Sequence, residues 1–141
     1  GTLRAQDPET RALLHEEVKS ISRNVGETYG LKVDATVHDN GSPPIVNPPQ
    51  PTAWARAAAV SLLGEDNVVP LPGANMGGED FAFYMERMPG CFLRVGAREP
   101  GGQVIPAHSP YFYAAEESIF VGAAILAETA RRASEALSHA S

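Results

Sequence analysis

The sequence predicts a chain of mixed class, α+β at its start and α/β after it. Three observations carry that expectation. Leu31, Val33, Ala35 and Val37 alternate with Lys32, Asp34, Thr36 and His38, the period of two of a half-exposed strand. From residue 52 to about 138, helical and strand-like segments take turns, as in an α/β layer. Between these regions, residues 40–51 hold five prolines in twelve positions, which favours a stiff, extended path. The domains expected are residues 1–40, a proline-rich hinge over 41–51, and residues 52–141.

Each element has a local cause. Leu3 to Ala5 reads as a strand already under way. The chain opens Gly1-Thr2-Leu3-Arg4 with no Met and no basic or apolar leader, so it reads as a fragment of a longer protein, with a tag-cleavage scar as the plainer alternative. Asp7-Pro8-Glu9 is a helix start: Asp7 can cap, Pro8 suits the first helical position and Glu9 suits the positive end of the dipole. Leu14, Val18, Ile21 and Val25 then form one apolar stripe, and Gly30 ends the helix. Thr52–Leu63 is expected to be helical with an Ala-rich middle, closed by Gly64. Val68–Leu71 reads as a short strand and Glu79–Met88 as a short helix carrying Phe81, Tyr84, Met85 and Met88 on one face. Pro89-Gly90 turns the chain into Cys91–Val95, an apolar and buried strand. A loop from Gly96 precedes a long helix over residues 115–138, whose broad apolar side includes Ile119, Val121, Ile125 and Leu126.

Composition narrows the function. The 141 residues carry 11 Lys and Arg against 17 Asp and Glu, a net charge of −6. An acidic chain without a basic run is a poor partner for nucleic acid or an anionic membrane. No apolar run approaches the ~20 residues of a membrane span. A single cysteine, Cys91, allows no internal disulfide, and a reducing cytoplasm is the compartment it favours.

Few residues are candidates for chemistry. His15 and His139 fall on polar helix faces, and His38 ends the amphipathic strand. His108 lies in Pro106-Ala107-His108-Ser109-Pro110, a turn-forming segment of the kind where function concentrates, although one imidazole alone is not a metal site. Gly77 and Gly78 precede a helix and offer backbone N–H groups to an anion; equally, they serve only the turn. Glu79 and Asp80 are adjacent and diverge by about 100° on a helix, so they are not an acid–base pair. Arg4 is a candidate carboxylate binder or an ordinary surface arginine. Ser109 lacks a nucleophile elbow, which leaves a His108–Ser109 hydrolase the weakest reading.

Taken in order, six segments resemble one family. They are Gly-Thr-Leu-Arg at 1–4, Gly-Ser-Pro-Pro-Ile-Val-Asn at 41–47, Met-Gly-Gly-Glu-Asp-Phe-Ala-Phe-Tyr at 76–84, Pro-Gly-Cys-Phe-Leu-Arg-Val-Gly at 89–96, His-Ser-Pro at 108–110 and Val-Gly-Ala-Ala at 121–124. They look like the C-terminal part of the metal-dependent amidohydrolases and peptidases, the family of aminoacylase, hippurate hydrolase and indole-acetyl-amino-acid hydrolase. The resemblance implies the last third of a catalytic α/β domain at 52–141, preceded at 1–40 by the strand–helix–strand second half of an α+β lid that mediates homodimerisation. It implies two divalent metal ions, zinc or manganese, with His108 as one ligand. It implies Arg4 as the anchor of the substrate's carboxylate, Gly77 and Gly78 as the loop lining the substrate side of the metals, and Asn47 as a hinge position. The family's other ligands and its water-activating glutamate would lie upstream of residue 1, so the expected partners are a small N-acyl amino acid or amide and the N-terminal part of the same protein. The chain alone would be inactive, with no catalytic residue of its own. The rival expectation is a non-catalytic α/β binding or dimerisation module.

Overall fold

The computed structural model describes residues 1–139 and is helical where it is regular. Four α-helices occur in chain order: α1 (Pro8–Thr28), α2 (Pro49–Leu63), α3 (Phe81–Met85) and α4 (Glu116–Ser138), with a 3₁₀ turn at Glu65–Asn67 after α2. They fall into two compact units. One comprises Gly1–Val46 and Leu71–Met88; the other comprises Asn47–Pro70 and the chain from Pro89 onward.

The first unit is built on α1. Asp7 caps it: its carboxylate accepts from the Thr10 backbone N–H at 2.7 Å and from the Thr10 hydroxyl at 2.8 Å. Those bonds hold the Asp7 carboxyl below its ordinary pKa. At the other end Gly30 takes a φ of 69°. The Leu31 N–H reaches back to the Gly26 carbonyl at 2.8 Å, and the Gly30 N–H to the Glu27 carbonyl at 3.0 Å. This is the Schellman closure, which only a residue at ease with positive φ can make. Both helix ends were legible from the residues that make them. The apolar stripe is covered over only part of its length: Leu14 and Val18 are half-buried, while Ile21 and Val25 are more than half exposed.

The second unit rests on α2 against α4. Ala55, Ala58 and Ala59, spaced as one helical face, are buried, and so is Ile125 of α4. Pro49 and Pro51 lie inside the first turn of α2, which therefore starts three residues before the expected Thr52. Proline is tolerated there because the first-turn N–H groups have no intrahelical partner to lose. Gly64, at φ 84°, ends the helix, and the Asn67 carboxamide donates to the exposed Leu63 carbonyl at 2.8 Å. On α4, Glu128 pairs with Arg131 and Arg132, both at 2.7 Å. The Arg131 hydrogen bond first, and then that of Arg132, bring the Glu128 carboxyl down to about 2.

The α/β and α+β expectation is corrected here. Among the described residues there is no strand and no sheet. The two strands expected on either side of α1, and those at 68–71 and 91–95, are irregular, without ladder hydrogen bonds. The physical reason is that a strand is a non-local element: its alternate N–H and C=O groups need a second strand beside them, and a hydrophobic period of two does not supply one. The period itself survives in the side chains. Val33, Ala35 and Val37 are half-buried while Lys32, Asp34, Thr36 and His38 are exposed.

Gly26 shows how close α1 sits to that returning segment. It is the one buried residue of α1, and a Cβ built on it would lie 2.2 Å from Cγ2 of Val33 and 3.2 Å from the Leu31 carbonyl oxygen. Alanine should gain about 1 kcal/mol of helix propensity, yet overpacking against a stiff β-branched side chain should cost about 1–3 kcal/mol. Gly26→Ala is therefore expected to lower the midpoint of thermal unfolding, and adding Val33→Ala to restore part of it. An unchanged or raised midpoint for Gly26→Ala alone would remove the close-approach account.

Candidate functional site

The first candidate site lies wholly within the first unit. Arg4 sits in the irregular segment before α1 and is exposed. Its Nη1 donates to the Met76 carbonyl oxygen at 2.5 Å, across 72 residues of sequence. Gln6 follows the same path, its Nε2 lying 3.6 Å from the Met76 sulfur. The next residues of that loop are Gly77 and Gly78. The Gly77 N–H donates to Oδ1 of Asn75 at 2.6 Å, and a Cβ on Gly77 would stand 2.9 Å from that oxygen. A side chain at position 77 would thus have to push the Asn75 carboxamide aside. A Cβ on Gly78 would lie 3.4 Å from the Ser42 hydroxyl oxygen and 3.9 Å from Arg4 Nη1. Arg4, Ser42 and the glycine loop therefore converge on one spot.

A guanidinium beside a glycine loop, with a hydroxyl opposite, is suited to an oxyanion, above all a planar carboxylate. Of the sequence-predicted residues, Arg4, Gly77 and Gly78 are brought together. Gln6 and Ser42 are members that sequence reasoning did not single out; Asn75 and Met76 open the candidate stretch that holds the two glycines. Ser42 and Met76 stand in motifs that carry the family resemblance, but spacing alone does not reveal that they meet. Glu79 turns back on its own loop, accepting from the Phe81 N–H at 3.3 Å at the start of α3.

His108 belongs to the second unit. The loop that carries it is tied at its base, where the Ala115 N–H donates to the Ala97 carbonyl at 2.8 Å. A Tyr113–Glu99 hydrogen bond lies just inside that tie, and it raises the Tyr113 phenol above its ordinary pKa. At the tip, the Ser109 N–H donates to the Pro106 carbonyl at 2.9 Å and the Phe112 N–H to the Ser109 carbonyl at 3.0 Å. These two successive turns leave the His108 ring exposed. The Ser109 hydroxyl oxygen accepts from the Tyr111 N–H at 3.2 Å, a local turn bond and no link to a base.

A divalent metal needs more donors than these residues offer. Zinc in a protein takes about three to four protein ligands. Among the described residues no group of three or more His, Cys, Asp or Glu side chains is placed to hold an ion. The donor set present, a single imidazole, does not fit a complete metal centre. No helix among the described residues is long and apolar enough to cross a membrane.

Asn47, the hinge position, makes the most specific polar contact of the second unit. Its Nδ2 donates to the Phe92 carbonyl at 3.0 Å and its Oδ1 accepts from the Phe92 N–H at 2.9 Å. A side-chain amide thus satisfies both backbone groups of one residue, as a neighbouring strand's peptide unit would. Beside it, Cys91 is partly buried, and that burial pushes its thiol above its ordinary value, with a Thr52 hydrogen bond opposing.

Arg4, Ser42 and the glycine loop thus form one exposed polar cluster. The chain belongs to peptidase family M20/M25/M40, whose pattern it matches over residues 5–132. It is 34% identical over 131 residues to the probable hydrolase sll0100 of Synechocystis, covering 92% of this chain and 33% of that protein. It is 30% identical over 131 residues to the putative amidohydrolase YhaA of Bacillus subtilis, with 92% and 33% covered. It is 32% identical over 136 residues to the IAA-amino acid hydrolase ILR1-like 6 of Arabidopsis thaliana, with 94% and 29% covered. The chain thus spans a third or less of the length of these relatives. No solved structure matches it significantly.

The Cys91 environment yields a direct test. A thiolate is the reactive form, so a raised pKa lowers reactivity at neutral pH. The alkylation rate of Cys91 should rise with a midpoint above the ~8.5 of a free thiol. A midpoint below that value would mean that the side chain is not desolvated.

Proposed function

We propose that this chain is part of a metal-dependent hydrolase that cleaves the amide bond of N-acyl amino acids or similar small amides. The observation that carries the reading is the convergence of Arg4 with the Gly77-Gly78 loop in a chain of this family. Relatives named as amidohydrolase and as IAA-amino acid hydrolase support the amide as the bond and the amino acid as the leaving group.

In this reading Arg4 anchors the substrate's carboxylate by a charge-assisted pair. Gly77 and Gly78 form a wall without side chains, which lets the substrate approach the backbone closely. His108 gives one ligand to a centre of two divalent ions, zinc or manganese, whose remaining ligands come from outside the described residues. Membership of the family supports this, since the His108-Ser109-Pro110 segment stands in the motif order by which the chain resembles it. Bound there, the ions would supply Lewis-acid chemistry, and His108 would help to hold them.

Both assignments are tested in the full-length protein. Arg4→Ala should raise KM for N-acyl amino acids by about 10- to 100-fold, the worth of one charged hydrogen-bond pair, and leave neutral amide substrates nearly unaffected. His108→Ala should lower bound metal, measured by elemental analysis, together with kcat. Full metal occupancy and unchanged turnover in His108→Ala would overturn its role as a ligand.

A further inference from the structure

The candidate carboxylate site is filled by its own loop. Arg4 Nη1 is engaged by the Met76 carbonyl oxygen, and the Gly77 N–H by the Asn75 side-chain oxygen. These are the two kinds of donor, a guanidinium and a backbone N–H, that would meet a carboxylate here. Their present acceptors are oxygens carried by neighbouring residues of one exposed loop. Gln6, reaching the Met76 sulfur, holds the same residue from its side-chain end.

We propose that Asn75 and Met76 form an autoinhibitory cap, whose oxygens stand in for those of the ligand until a carboxylate displaces them; the proposal rests on Arg4 being the carboxylate anchor. The exchange has a physical direction. Both cap acceptors are neutral amide oxygens, whereas a carboxylate adds the attraction of opposite charges and a bidentate fit to a guanidinium. A carboxylate therefore opens the cap, whereas a neutral amide competes with the loop on equal terms and gains nothing. The cap acts as a filter for charge as well as a cover for Arg4. Its closure costs little, because Asn75 and Gly77 already form a local turn and Gly77 leaves the space that turn needs. Its opening costs little too, because the loop is exposed and carries few buried contacts.

Two variants at one position separate this device from a loop that is merely structural. Asn75→Ala removes an acceptor and frees the Gly77 N–H. Asn75→Asp keeps the acceptor and adds a negative charge beside Arg4, which strengthens the cap and repels an incoming carboxylate. Binding of N-acetylglycine to this chain is followed by NMR titration, with N-acetylglycinamide as the neutral control. Asn75→Ala should bind N-acetylglycine about three- to tenfold more tightly than wild type, and Asn75→Asp more weakly by a similar factor. The neutral control should not respond to either change. Simple loosening of the loop would move both variants in the same direction, and that result overturns the cap. So does an Asn75→Ala affinity equal to or weaker than wild type while Arg4→Ala still loses binding; the anchor then stands without the cap. Wild-type affinity in Arg4→Ala, or no binding of N-acetylglycine to any form, overturns anchor and cap together.

Discussion

The second unit depends on one contact, the alanine face of α2 against α4. Ala55, Ala58 and Ala59 carry no side chain beyond Cβ, so the helix backbones can approach closely with almost no side-chain entropy lost. That contact fixes where α4 begins. The start of α4 in turn fixes Ala115, whose N–H closes the loop at Ala97. The turns within that closed loop then set His108 at its tip. Gly122 belongs to the same arrangement: a Cβ there would meet Val95 at 3.6 Å, ordinary contact, so the segment before the loop lies against α4 without strain.

The apolar side chains left over are as informative as those buried. Phe120 is 79% exposed and Ile119 69%, and Val69 and Val104 are similarly open. Of the segments that read as strands, Cys91, Phe92 and Leu93 are half-buried, whereas Val69 and Leu71 are exposed. A helix satisfies its backbone from within and needs partners only for its side chains. A strand needs partners for both. With no ladder among the described residues, the helices persist and the would-be strands are held by isolated contacts. Asn47 is the clearest of these, since its carboxamide supplies one rung of a ladder to Phe92.

This contrast explains what the sequence made legible. The Asp7 cap, the Gly30 closure and the Gly64 stop are each set by residues within five positions of one another, so local chemistry determines them. The early start of α2 was missed because proline reads as a helix breaker, and its exemption applies only to the first turn. The sheet was over-read because a period of two marks a chain suited to a strand, without saying whether a second strand exists. At the site, the resemblance pointed to Arg4, Gly77, Gly78 and His108. The meeting of Arg4 with Met76 spans 72 residues and has no local signature. Asn75 carries a signal that could have been used: an asparagine two residues before a glycine is a turn in which the side chain accepts from the backbone.

The two units place different demands on the same chain. In the second, small residues pack in a helix pair. In the first, the polar groups around Arg4 are exposed and bonded mostly to backbone oxygens and loop side chains, contacts that solvent or a ligand can replace. A carboxylate anchor needs that replaceability. A guanidinium locked in a buried ion pair would have to give up a charged partner before it could take another, at a cost of several kcal/mol. Held by a neutral carbonyl, Arg4 keeps its orientation while retaining most of its electrostatic attraction for an incoming anion. The choice of a backbone oxygen as its resting partner is therefore consistent with binding, and an aspartate or glutamate in the same place would not be.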